Sequence, residues 1–285
     1  ADHARAIGQE TGEVDVVLVL PPAEAERQRS NNKIQVINAP LGRMQGILVN
    51  MGRKPTSEVK VRHAMAYAID KKAIVDNFLR GFGRVADSPL PPGVWPHKSQ
   101  KVFDLDLERA RKLMAEAGYG QGFKTTMSVP TGTYAAAQQI GEALAAMLKK
   151  VNIDVQLDVR ETGQWLSELR NKGVNEMTYY GWGNQSGDAD YSLRTNFHSQ
   201  LQAPKCCNRQ LYGNPEVDAL LTRAVSAVDP RQRQQAYEKV QEILWQEQPW
   251  VYLFSINRIS ANTRRVKGVV YLPTEWIHLR NARVE

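Results

Sequence analysis

The residues whose types could do chemistry are two carboxylate pairs, five histidines, two adjacent cysteines and one glycine-flanked tryptophan. Asp104 and Asp106 precede an apolar-periodic segment, where carboxylates satisfy free helix N–H groups; a cap accounts for them better than acid–base work. Asp188 and Asp190 lie in a loop, GNQSGDADYS, whose oxygens are too few and wrongly placed for a calcium loop. His3, His63, His97, His198 and His278 show no metal-ligand spacing and read as surface or capping residues. Cys206 and Cys207 are neighbours, with Cα atoms about 3.8 Å apart, below the usual disulfide range. Two free loop thiols are the expectation, with a vicinal disulfide the alternative. There is no GxxxxGK[ST], HExxH or GxSxG motif, and Gly118, Gly120 and Gly122 follow a helix rather than a strand. The chain reads as a binder rather than a catalyst, with no cofactor and no metal.

The binding chemistry concentrates in YYGWGNQSGDADYSLR, just after an apolar segment that reads as a strand over 176–182. Open α/β sheets place ligands at the C-terminal ends of their strands. Trp182 offers a flat apolar wall, and Gly181 and Gly183 let a ligand approach the backbone. Asn184, Gln185, Asp188 and Arg194 offer hydrogen bonds of both polarities. The competing reading is a solvated loop capped by a core tryptophan.

The surrounding elements must position that loop. An opening helix ends at Gly12, and the nearly continuous apolar run Val14–Leu20 suits a strand covered on both faces. A second strand is expected over 47–51. Thr56 or Ser57, Asp70 and Asp106 are candidate helix caps, and SPLPPGVWPHKS, with four prolines, is an extended loop. Helices over 135–151, 216–228 and 230–247, a half-exposed strand over 153–159 and a final buried strand over 250–256 complete an α/β or mixed class, with a basic irregular tail. Of the 285 residues 42% are hydrophobic and 24% charged, enough to bury a core. The net charge of +7 is scattered, with at most two adjacent basic residues, so nucleic acid is not the expected partner.

Four stretches carry a family resemblance: GEVDVVLVLPP, ILVNMGRKPTSEVKVRHAMAYAIDKKAIVDNFLRGFG, the loop SPLPPGVWPH with the helix DLDLERARKLMAEAGY, and GWGNQSGDADYS with LYGNPEVDALLTRAVSAVDPRQRQQAYEKVQEILWQEQPWVYLF. Together they resemble the family 5 extracellular solute-binding proteins, the dipeptide and oligopeptide receptors of ABC importers. The resemblance implies a type II periplasmic-binding-protein clamshell that closes on a ligand, serving a membrane permease from the periplasm as a monomer. It implies that residues 1–50 end a first lobe, 51–254 form a nearly complete second lobe and 255–285 return to the first. The N-terminal two fifths of such a receptor would then be absent from this sequence. Peptide-binding members hold the ligand's ammonium with an Asp three residues after the tryptophan. Here Gln185 stands there, replacing a charge-assisted bond of about 1.5–3 kcal/mol by a neutral one. Arg170 falls near a position that faces the ligand and could meet a carboxylate. The alternative function is the sensor module of a transcription regulator. A hydrolase built on Asp188 and Asp190 is a third reading.

Overall fold

The computed structural model describes residues 2–285. The chain opens with α1 (Asp2–Thr11), β1 (Val16–Val17), α2 (Pro22–Gln28) and the long strand β2 (Ile34–Val49). Next come α3 (Val59–Ala68), α4 (Lys71–Leu79), β3 (Gly83–Val85), α5 (Leu107–Glu116), β4 (Phe123–Thr131) and α6 (Ala137–Lys149). These are followed by β5 (Ile153–Glu161), α7 (Thr162–Lys172), β6 (Met177–Gly183) and α8 (Ala189–Phe197). Then α9 (Pro215–Ser226) and α10 (Pro230–Glu247) lead to β7 (Trp250–Thr263) and the short strands β8 (Val266–Lys267), β9 (Val270–Tyr271), β10 (Ile277–His278) and β11 (Arg283–Val284).

One mixed sheet organises the chain, in the order β1-β7-β2-β6-β4-β5, with β3 also on β7. Strands β4, β5 and β6 run parallel to one another, and β2 runs antiparallel to both β6 and β7. This is the α/β class expected. Strand β2 is far longer than the stretch over 47–51 that periodicity reveals. Its first half carries Asn38, Pro40 and Gly42, poor strand residues, but it pairs with β7 from Ile34 opposite Thr263 onward. Pro40 cannot donate to the ladder, and the register shifts between Pro40 and Arg43. Tertiary pairing therefore overrides local propensity, and it carries β7 seven residues past the expected end.

The expected two-sided strand over Val14–Leu20 is corrected: only Val16 and Val17 pair, with Asn262 and Ala261 at the sheet edge. Val17 and Leu20 are buried, whereas Val19 is 59% exposed. An apolar run records a tendency to be buried; the packing partner decides whether both faces are covered. Helix starts follow capping chemistry more closely. Asp70 accepts from the Ala73 amide and Asp106 from that of Arg109. The α3 expectation is corrected too, because its N-cap is Glu58, while the Thr56 hydroxyl donates instead to the Asn50 and Arg53 carbonyls.

Two apolar clusters flank the long strands. The larger gathers α3–α10 around β2, β4, β6 and the first part of β7; the smaller packs Ala6, Val17, Leu20, Ala25, Ile34, Phe82 and Ala261. Within the larger one Lys71 is only 4% exposed, its ammonium donating to the Ala66 and Phe103 carbonyls at 2.5 and 2.6 Å. Burial pulls its pKa down to about 8. Among the described residues no helix is long and apolar enough to cross a membrane.

Candidate functional site

Because β4, β5 and β6 are parallel, their C-terminal ends meet at one edge, and the three segments that follow them converge there. Thr133 and Tyr134 follow β4, the first turn of α7 follows β5, and Trp182–Gln185 close β6. Arg43 of β2 lies opposite Gly183 at the same edge. They surround a cleft of about 250 Å³ walled by Tyr134, Trp165, Tyr180, Trp182, Tyr191 and Arg209. Arg43, Thr133 and Tyr134 also line an adjoining trough of about 500 Å³, whose floor includes Leu18, Val19, Leu41, Ile256 and Ile259. An aromatic-walled pocket whose lining also includes Thr133, Thr162, Gln185 and two arginines thus adjoins an apolar trough.

Trp182 is half-buried, and its ring lies 5.6 Å from that of Tyr191, tilted by 34°. The two form one aromatic wall, and the indole is not sealed in the core. Gln185 and Gly183 also line the cleft. The space beside the two glycines is taken by protein. A Cβ on Gly181 would lie 3.1 Å from the Tyr134 ring, and one on Gly183 would collide with the Glu275 carboxylate. The Tyr134 hydroxyl accepts from the Gly181 amide at 2.9 Å and donates to its carbonyl at 3.2 Å. It satisfies β6 where the β4 ladder has ended. Glu275 in turn is held by Arg43 at 2.8 Å.

Asn184, Asp188, Arg194 and Arg170 lie outside the cleft lining. Asn184 is fully buried; its amide donates to the Asp188 carbonyl and Ser192 hydroxyl, and its oxygen accepts from the Ser186 and Gly187 amides. Asp188 caps α8 through the Asp190 amide and receives both arms of Arg233 at 2.7 and 2.9 Å. Arg233 also lies over the rings of Trp95 and Tyr237. The proline-rich loop is thereby tied to the cleft loop, and Trp95 exchanges backbone hydrogen bonds with Gly187 and Ala189. Arg194 pairs with Asp190 one turn earlier. Arg170 is exposed in the last turn of α7, about 12 Å along the helix from the cleft-lining Thr162 at 1.5 Å per residue.

Sequence reasoning missed Tyr134 and Arg209, which stand in a bend and a turn without a motif, and Arg43, in the part of β2 that lies before the expected stretch over 47–51. Arg209 is 5% exposed; one arm donates to the Tyr180 hydroxyl, and its charge lies 5.1 Å from that ring. Burial, reinforced by Arg170, pulls its pKa down to about 10. Two residues upstream, Cys206 and Cys207 are joined in a vicinal disulfide with Cα atoms 3.7 Å apart, correcting the free-thiol expectation. Chain neighbours can bridge when the local backbone supports the ring, which spacing alone does not disclose. His198 accepts from the Gln200 amide through Nδ1, a capping role, and the side chain of His3 lies outside the described residues.

A model of the bacterial extracellular solute-binding proteins, family 5 middle, matches residues 1–203. The chain belongs to this family. The glutathione-binding protein GsiB of Escherichia coli strain K12 is 31% identical over 288 aligned positions, covering all of this chain and 56% of that protein. The periplasmic binding protein DppA of Helicobacter pylori, solved with the peptide STSA, superposes with a TM-score of 0.86 at 27% identity, over 95% of this chain and 52% of its own. The dipeptide-binding protein of Pseudoalteromonas sp. SM9913, solved with Met-Leu, gives a TM-score of 0.85 at 25% identity, over 100% of this chain and 57% of its own. The chain therefore spans about half the length of these family 5 relatives. They are type II periplasmic binding proteins, and they are binding proteins rather than enzymes.

Proposed function

We propose that this chain is the ligand-closing part of a periplasmic receptor that captures a peptide or peptide-like polar solute for an ABC importer. The observation that carries this reading is the two-part cleft at the convergent ends of β4, β5 and β6, an aromatic-walled pocket beside an apolar trough. Residues 51–254 are assigned to one lobe, and residues 1–50 and 255–285 to the other. The lobes would close about the crossings of β2 and β7, near residues 47–51 and 253–257. Two separate apolar clusters along those strands support a division into two bodies, with Met44–Val49 packed in the larger cluster and Phe82 in the smaller. Relatives that bind glutathione and short peptides support the solute class. Gln185, exposed beside Trp182, gives no charge to a ligand ammonium, so recognition rests on stacking and on groups other than the amine.

The test is a thermal-shift screen of the full-length receptor with dipeptides, tripeptides and glutathione, followed by small-angle scattering. Binding at a hundred times Kd stabilises the folded state by about 2.7 kcal/mol, which raises the melting point. The radius of gyration should fall with the same ligand. A screen with no shift, or a ligand that binds without compaction, refutes the peptide-receptor reading or the closure, respectively.

A further inference from the structure

Cys206 and Cys207 are joined to each other, so their bond ties together no two distant parts of the chain. A disulfide stabilises by closing a loop of the unfolded chain, and the gain grows with the number of residues enclosed. Chain neighbours enclose none between them, and by that route this bond contributes the least of any disulfide. Its place in the fold is more informative. Both cysteines are half-buried, whereas Asn208, Arg209 and Gln210, which follow without a break, are buried. The buried segment is stitched to its surroundings. The Asn208 side chain donates to the His198 and Tyr212 carbonyls at 3.1 and 2.8 Å and accepts from the Tyr212 amide at 3.0 Å. The Arg209 carbonyl accepts from the Val174 amide at 2.7 Å, and the Gln210 carbonyl from the Met51 amide at 2.9 Å. The Arg209 guanidinium meets the Tyr180 hydroxyl in the cleft wall. The Arg209 amide itself donates to the Cys207 carbonyl at 2.9 Å, so the bridged pair leads directly into this set of bonds.

We propose that Cys206–Cys207 is a thiol–disulfide exchange site, opened by a small thiol, whose state sets how firmly residues 208–210 are held against β6 and the end of β2. The inference does not rest on the receptor reading above. In the first step a thiolate attacks one Sγ. A new S–S bond forms to that sulfur, the Cys206–Cys207 bond breaks, and the other sulfur leaves as a thiolate. A second small thiol then displaces the first. The two cysteines end as thiols, each with one proton, the two small thiols end as one disulfide, and two electrons have passed to the protein. Half exposure admits the attacking thiolate. The exposed Lys205 beside the pair and Arg209 two residues on favour a thiolate there over a thiol. Opening frees the backbone of both cysteines from the ring, including the Cys207 carbonyl to which the Arg209 amide donates.

The experiment treats the folded full-length protein with dithiothreitol, without denaturant, and traps thiols with iodoacetamide for peptide mass spectrometry. Circular dichroism establishes that the fold persists. Cys206 and Cys207 should be alkylated together, and only after the reductant. Hydrogen exchange is then compared in the oxidised protein, the reduced protein and Cys206→Ser/Cys207→Ser. Weakening one net hydrogen bond corresponds to about 2- to 10-fold faster exchange. That rise is expected at the amides of Met51, Val174 and Tyr212 on reduction, with those of β4 and α10 unchanged. The double variant should exchange as the reduced protein does, with or without dithiothreitol. Should it fail to fold, the wild type in its two states still decides. Resistance of the bond to dithiothreitol in the folded protein overturns the exchange site, and unchanged exchange after complete reduction overturns its hold on residues 208–210. In either case the receptor reading stands, because neither measurement involves a solute.

Discussion

The pair Asp188–Arg233 separates two accounts of the cleft loop, one in which Asp188 meets the ligand and one in which it holds the loop in place. Both arms of Arg233 reach the carboxylate at 2.7 and 2.9 Å, and the two side chains are 30% and 28% exposed. At about 4 Å between charge centres and an effective dielectric near 20, the gross attraction is about 4 kcal/mol. Partial exposure and the ordering of a long side chain remove much of it, leaving about 1–2 kcal/mol. Asp188→Asn keeps an oxygen to cap α8 and loses the charge, so its cost should fall in that range. Asp188→Ala also gives up the cap on the Asp190 amide, adding about 1 kcal/mol. Urea denaturation of Asp188→Asn, Arg233→Met and the double variant gives the coupling, expected at about 1–2 kcal/mol with m unchanged. Peptide affinity should fall only modestly, through loosening of the Trp182 loop. Coupling below about 0.5 kcal/mol, together with a tenfold or larger loss of affinity in a fully stable Asp188→Asn, would refute the structural role and return Asp188 to the ligand.

Lys71 gives a pH signature. Its native pKa near 8 lies below the 10.5 of the free side chain, so between these values the unfolded state binds more protons and stability rises with pH. Relative to Lys71→Met, the wild type should gain up to about 1.4 kcal/mol per pH unit across that window in urea melts; a difference that stays flat from pH 7 to 10 sinks the assignment. Gly181→Ala would place a methyl 3.0 Å from the Gln45 side chain and 3.1 Å from the Tyr134 ring. A loss of about 1–3 kcal/mol is expected in thermal melts, and an unchanged melting point would show that Tyr134 is not packed on β6 as described.

How legible the site was depended on the range of the interactions that make it. Strand β6 and its Trp182–Gln185 turn were readable because an apolar run followed by glycines and amides is a local signal. Asp70 and Asp106 were readable for the same reason, since a cap acts on amides two or three residues away. Asp188 had the right chemistry for a ligand contact, but its partner Arg233 lies 45 residues further on, and no spacing rule connects them. Arg209 was silent in the sequence because its distinguishing property, burial without a counter-charge, exists only after folding.

By itself the sequence determined the α/β class, the order of most helices and strands, the family, and an aromatic, amide-rich turn at a strand end. These follow from periodicity and caps, together with the motifs that carry the family resemblance. Tertiary structure decided the length of β2 and β7, whose pairing overrides weak propensity in residues such as Asn38 and Pro40. It also decided which polar groups of the turn remain free. Asn184 and Asp188 are consumed by loop and helix, while Arg209 keeps a buried Nε without a partner. The physical reason is that a side chain's chemistry is fixed by its type, whereas its availability depends on partners that only the folded chain brings within reach.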